Sequence, residues 1–142
     1  MKTLREVMTS EVEICNPKDN VFEAAVKMKD NDCGAIPICE GEELIGMITD
    51  RDIVVRGVAE KKPNSTAVTD IMTENLMTAG ADMSVDDAAK MMAENQIRRL
   101  PIVDGNRLVG IVALGDLAVH TSTEDEAGYA LSEISEQQHY HH

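Results

Sequence analysis

Two short stretches carry side chains suited to gripping a polar small molecule. They are Gly46-Met47-Ile48-Thr49-Asp50-Arg51-Asp52 and Gly110-Ile111-Val112-Ala113-Leu114-Gly115-Asp116. Both run from an apolar strand through a turn to an acid, in the pattern G-h-h-T-x-x-D, but the second has lost its threonine. An ionised carboxylate can accept two hydrogen bonds from neighbouring hydroxyls of a diol, which a single hydroxyl does less well. A guanidinium, as in Arg51 or the pair Arg98-Arg99, matches phosphate with the same fork geometry. A strand-to-helix turn adds free backbone N–H groups and a positive dipole end. The same spacing is also that of a helix N-cap with an acid at N3, worth about 1 kcal/mol with no ligand involved. Catalytic patterns are missing from the sequence. There is no phosphate-loop motif, no H-E-x-x-H, no nucleophile elbow and no paired Cys/His set, and His120 is the only histidine before the tail. A non-enzyme is expected.

The elements that must position these residues come in two copies. Shifted by 64 residues, Val7-Met8-Thr9 falls on Ile71-Met72-Thr73, Pro37-Ile38 on Pro101-Ile102, Gly46 on Gly110 and Asp52 on Asp116. From Met8 to Val55, 14 of 48 positions are identical without a gap. An ungapped duplication means two copies of one supersecondary unit burying their apolar faces together, with a cleft between them. Each copy reads β-α-β-β-α. A leading segment (4–8, 69–72) enters a brief strand near 12–15 or 76–79. A helix follows, opened by Asn20-Val21-Phe22-Glu23 or Ser84-Val85-Asp86-Asp87, both of capping-box form. Val21, Ala24, Ala25 and Met28 share one helical face, as do Val85, Ala88, Ala89 and Met92. Hairpins follow around Glu40-Gly41-Glu42-Glu43 and Asp104-Gly105-Asn106-Arg107, and last helices open at Asp50 and Leu114.

Charge narrows the partners. Thirteen basic residues against 26 acidic ones give a net charge of −13, which disfavours nucleic acid and anionic membranes. No apolar run approaches the ~18–20 residues that span a bilayer, and the first residues hold no signal-peptide core, so a soluble cytoplasmic protein is expected. Cys15, Cys33 and Cys39 are odd in number and lack C-x-x-C spacing, which suits small reduced hydrophobes rather than a metal site. Phe22 and Val26 form a second apolar stripe on their helix, and Ile53, Val54, Val55 and Val58 make theirs apolar nearly all round. One fold cannot bury all of this, so a partner surface, most simply a homodimer, is expected. The tail is acidic, with Ala127, Ala130, Leu131 and Ile134 at amphipathic-helix spacing and His139, His141 and His142 at its end.

The duplicated unit resembles the cystathionine-β-synthase (CBS) domain, which occurs in tandem pairs. The resemblance rests on Val7-Met8-Thr9, Ala35-Ile36-Pro37-Ile38 and the G-h-h-T-x-x-D turn, and covers residues 4–120. The stretch Asp50-Arg51-Asp52-Ile53-Val54-Val55-Arg56-Gly57 resembles small stand-alone bacterial CBS pairs. It implies an α/β (α+β) fold of two β-α-β-β-α repeats with pseudo-two-fold symmetry, small mixed sheets packed together and helices on the outer faces. The corresponding divisions are repeat one at 1–58, a linker at 59–67, repeat two at 68–120 and the tail at 121–142. It further implies a regulatory module that binds an adenosine nucleotide (AMP, ADP or ATP) or S-adenosylmethionine in the inter-repeat cleft, with no catalytic cofactor and an unspecified protein target. Carried over by position, Asp52 and Thr49 are the ribose pair of one site and Asp116 the ribose acid of the other. Arg98, where the first copy has Gly34, and Arg51 are the phosphate candidates. Adenine would lie among Val12, Ile36 and Pro37, or Leu76, Leu100 and Pro101. The alternative is a ligand-free structural homodimer. Ala113 and Gly34 predict unequal sites, with the Thr49/Asp52 site the better one.

Overall fold

The computed structural model describes residues 2–120. The tail segment expected to form an amphipathic helix and the terminal histidines lie outside the described residues. Among these, α1 (Leu4–Val7) is followed by α2 (Val21–Asn31), the hairpin β1 (Ala35–Glu40) and β2 (Glu43–Thr49), and α3 (Asp50–Asp52). The helix continues past α3 as a π-helical turn, Ile53–Gly57, and a 3-10 turn, Val58–Glu60. After a further 3-10 turn at Val68–Asp70 come α4 (Val85–Asn95), β3 (Arg99–Asp104), β4 (Arg107–Ala113) and α5 (Leu114–His120). The helix starts expected at Val21, Val85, Asp50 and Leu114 are those observed, and both hairpins form where expected, with strands one residue longer at the turn.

Local chemistry sets these bounds. Asn20 caps α2 by accepting from the Glu23 N–H at 2.8 Å, and Glu23 returns the bond to the Asn20 N–H. Ser84 caps α4 by accepting from Asp87 N–H, but no reciprocal bond from Asp87 accompanies it. Both helices stop at equivalent left-handed residues, Asp32 and Gln96. Gly41 and Gly105 turn the two hairpins with φ +64, a conformation that glycine adopts without strain.

The chain forms two compact units that cut across the order of the copies. The first comprises residues 2–12, 77–105 and 109–120; the second comprises 13–76 and 106–108. Each copy's leading segment thus belongs to the unit built from the other copy's helix and hairpin. In the first unit, Thr9 bridges Ile111 of β4, and Ala79 bridges Ile102 of β3 in parallel. In the second, Thr73 bridges Met47 of β2, and Cys15 bridges Ile38 of β1 in parallel. The strand ladders are antiparallel, so the mixed sheets expected are reduced to antiparallel strands with isolated parallel bridges beside them. The strands expected near 12–15 and 76–79 contract to these single bridges, because neighbouring residues make no continuing ladder. The expected linker is tied down: the Thr66 and Asn64 carbonyls accept from Val21 and Phe22 N–H at the start of α2.

Each unit has its own core. Leu4, Val85, Ala88, Ala89, Met92, Leu100, Ile102, Val112, Leu114 and Leu117 fill the first. Val21, Ala24, Met28, Ile36, Ile38, Ile48, Val68 and Ile71 fill the second. Ala89 is buried where α5 packs against α4, but Ala25 is exposed, contrary to the shared-face expectation. Its helix α2 packs on β1 and buries only the narrower stripe of Val21, Ala24 and Met28. Gly46 and Gly110 are required by packing. A Cβ at Gly46 would stand 2.5 Å from the Met72 sulfur, and one at Gly110 2.6 Å from the Met8 sulfur.

Candidate functional site

The Thr49–Asp52 turn belongs to the second unit, where β2 passes into α3. Thr49 is the N-cap: its Oγ1 accepts from Asp52 N–H at 3.0 Å, and its own N–H donates to Asp52 Oδ2 at 3.1 Å. The capping reading of this spacing is therefore satisfied in the structure. Two further groups reach the same carboxylate. The Thr73 hydroxyl lies 3.2 Å from Oδ2 and 3.3 Å from Oδ1, and Arg56 Nε lies 4.0 Å from Oδ1. Arg56 also donates from Nη1 to the Met72 carbonyl at 3.0 Å. Asp52 is consequently a buried acid in an otherwise exposed turn, held by three neighbours. A carboxylate has about four lone-pair directions. Those of Oδ2 are taken by Thr49 and Thr73, while Oδ1 has only the shared Thr73 hydroxyl and a distant guanidinium.

Thr73 and Arg56 were not signalled by the turn motif itself. Thr73 could have been found from the repeat, since it pairs with Thr9, and its main chain is fixed by mutual bonds with Met47 at 3.0 and 2.8 Å. Arg56 stands four residues after Asp52, where a helix brings side chains together. The π-helical turn that begins immediately after Asp52 is a distortion found frequently at functional sites.

The other candidate residues divide between the units. Arg51, Ile36, Pro37 and Leu76 share the second unit with Asp52; Asp116, Arg98, Leu100, Pro101 and Val12 belong to the first. Asp116 is exposed on the first turn of α5, and Ala113 gives that turn no capping hydroxyl. Arg51 and Arg98 are exposed. Ile36 and Leu100, expected to line an adenine, have 0% exposure and pack inside the two cores. The apolar run concealed which alternate residues face inward. Ile36 pairs with Ile48 on the core side and Pro37 with Met47 in the next register position, on the opposite face, but Pro37 and Pro101 are buried as well. The partly exposed Val12 and Leu76 keep surface available.

The CBS domain family matches residues 4–57 and again 68–121. This chain is a tandem pair of CBS domains. Such pairs are regulatory modules. A curated relative of the pair, the uncharacterized protein YlbB of Bacillus subtilis, is 49% identical over 96% of this chain and 93% of its own. Among solved structures, Hypoxic Response Protein I with two coordinated zinc ions is 34% identical, with a TM-score of 0.77 over 84% of this chain and 99% of that one. The CBS domain pair of protein MJ0100, solved with 5′-methylthioadenosine and S-adenosyl-L-methionine, is 28% identical, with a TM-score of 0.74 over 84% of this chain and 95% of that one. Among the described residues of the present pair, no group of three or more His, Cys, Asp or Glu is placed to hold a metal. No helix among them is long and apolar enough to cross a membrane.

Proposed function

We propose that this CBS pair is a sensor that binds an adenosine nucleotide or adenosyl compound such as S-adenosylmethionine at the Thr49–Asp52 turn. The observation that carries the reading is the Asp52 carboxylate, buried at a strand-to-helix turn yet retaining acceptor capacity on Oδ1. The ribose 2′- and 3′-hydroxyls donate to it, and Thr49 holds the carboxylate in place. The adenine rests on the Pro37 side of β1, with Leu76 beside it. The adenosyl ligands of the MJ0100 pair support this ligand class. A ribose competes with Thr73 and Arg56 for Asp52. Because Thr73 is bonded to β2 and Arg56 to Met72, that competition shifts the 72–73 segment, and this is how occupancy becomes a conformational signal. Asp116, without a capping threonine, is the acid of a second, weaker site, with Arg98 as its phosphate partner and Val12 and Pro101 beside it. The module acts in the cytoplasm on a protein target, as a homodimer and without turnover. Exposed Phe22, Val26, Val54, Val55 and Val58 support a partner surface.

A second reading is favoured by the bonds Asp52 already makes: a structural homodimer in which Asp52 serves as a cap alone. A thermal-shift panel of AMP, ADP, ATP and S-adenosylmethionine separates the two. The sensor reading expects at least one compound to raise the melting temperature with concentration, and Asp52→Ala to abolish the rise while remaining folded. No shift at millimolar concentration establishes the scaffold reading instead.

A further inference from the structure

The strand-to-helix turns of the two units share a backbone frame but differ in charge. In the second unit, Asp50 N–H donates to the Gly34 carbonyl at 2.9 Å; in the first, Leu114 N–H donates to the Arg98 carbonyl at 2.8 Å. At this junction one unit therefore has glycine and an acid, and the other has arginine and leucine. The Asp50 carboxylate fills the space that a side chain at position 34 would need: Oδ2 lies 2.9 Å from where a Cβ on Gly34 would stand. No arginine can be accommodated there while Asp50 keeps this position.

The same turn has no spare main-chain donors for an anion. Asp50 N–H is bound to Gly34, Arg51 N–H donates to Asp50 Oδ1 at 2.8 Å, and Asp52 N–H donates to Thr49 Oγ1. A helix start ordinarily attracts phosphate through such groups. Here they are satisfied by the protein's own oxygens, and two carboxylates lie within one turn. Asp50 and Arg51 are both exposed and screened by solvent; of the two, Asp50 has its carboxylate held at the turn, by the Arg51 amide.

We infer that Asp50 is a specificity-determining residue that turns away an anionic 5′ group, so that the Asp52 site takes an adenosine derivative with a neutral or cationic 5′ substituent. This rests on the ribose-binding reading of Asp52 and narrows its ligand class. A 5′-hydroxyl or 5′-ammonium can donate to Asp50, and a sulfonium is attracted to it; a phosphate is repelled.

The test is titration calorimetry of the full chain with adenosine, 5′-amino-5′-deoxyadenosine and AMP, at low and high salt. The wild type is expected to bind the amino compound most tightly and AMP least, with the gap between adenosine and AMP about tenfold. That gap should narrow as salt rises. Asp50→Asn keeps an oxygen to accept from the Arg51 N–H and should close most of the gap. Tighter binding of AMP than adenosine by the wild type would overturn the inference while leaving the ribose reading intact, as would a gap unchanged in either Asp50→Asn or high salt. Absence of binding by all three compounds would overturn both. The salt arm needs no variant, so a poorly folded Asp50→Asn leaves the inference open to contradiction.

Discussion

The two units solve one packing problem in two ways. Where the second unit places Glu13, Cys15, Asp19 and Lys27, the duplication puts Met77, Ala79, Met83 and Met91. In the second unit, Lys27 Nζ donates to the Ile14 carbonyl at 2.7 Å and lies 3.6 Å from Asp19 and 3.8 Å from Glu13. In the first, Met83 and Met91 pack against the core. Methionine fills irregular space without needing partners, whereas a half-buried ammonium must be surrounded by oxygens. The same asymmetry holds at the candidate sites. One turn has a capped, buried Asp52 bound to Thr73 and Arg56; the other has an exposed Asp116, an alanine in place of the cap and His120 in place of the arginine. Duplication preserved the backbone of the turn and left its chemistry free to diverge.

The largest expected difference between the units lies at alkaline pH. Burial pushes the Cys15 thiol from 9.0 up to about 11, with Asp19 adding to the rise and Lys27 opposing it. The folded chain then keeps a proton that the unfolded chain releases, so stability falls as pH climbs from about 9 to about 11. By pH 11 the fall amounts to about 2 kcal/mol. Urea denaturation at pH 8 and pH 11 should show this loss shrinking in Cys15→Ala, which copies Ala79. An equal loss in both proteins would remove the thiol from the account.

Substitution of the paired glycines tests sameness rather than difference. Gly46→Ala and Gly110→Ala each force a methyl group against a methionine sulfur and within 3.0 Å of a backbone carbonyl. Each should cost about 2 kcal/mol. Costs that differ by more than about 1 kcal/mol would show that the two leading segments yield unequally.

Smaller again is the contrast between the acids. Asp52→Ala removes a cap partner, leaves the Thr73 hydroxyl without its acceptor and takes a 4.0 Å ion pair from Arg56, at about 1–2 kcal/mol. Asp116→Ala, at an exposed position, should change stability by less than about 0.5 kcal/mol. Equal effects in chemical denaturation would mean that the buried network contributes nothing.

Much of this was legible in the residues. Asn20 and Ser84 announce helix starts through short polar side chains, and Asp104-Gly105 announces a tight turn, because these signals are local. The duplication carried the fold. What stayed hidden depends on contacts far along the chain. Thr73 meets Asp52 across 21 residues, and no local spacing encodes that approach. Ile36 and Pro37 sit in one apolar run, so which of them faces the core is decided by pairing with Ile48 and Met47. Ala25 and Ala89 are identical in type and position, yet only Ala89 is covered, because α5 packs beside α4. That each leading segment joins the other copy's unit is likewise a matter of tertiary packing.

The account turns on whether Asp52 grips neighbouring sugar hydroxyls. The most direct measurement is the dissociation constant of the full chain for adenosine and for 2′,3′-dideoxyadenosine, by titration calorimetry, in wild type and Asp52→Asn. Adenosine is expected to bind at least about tenfold more tightly than the dideoxy compound, with the advantage lost in Asp52→Asn. Equal affinity of the wild type for both nucleosides, or an advantage that survives in Asp52→Asn, would contradict it.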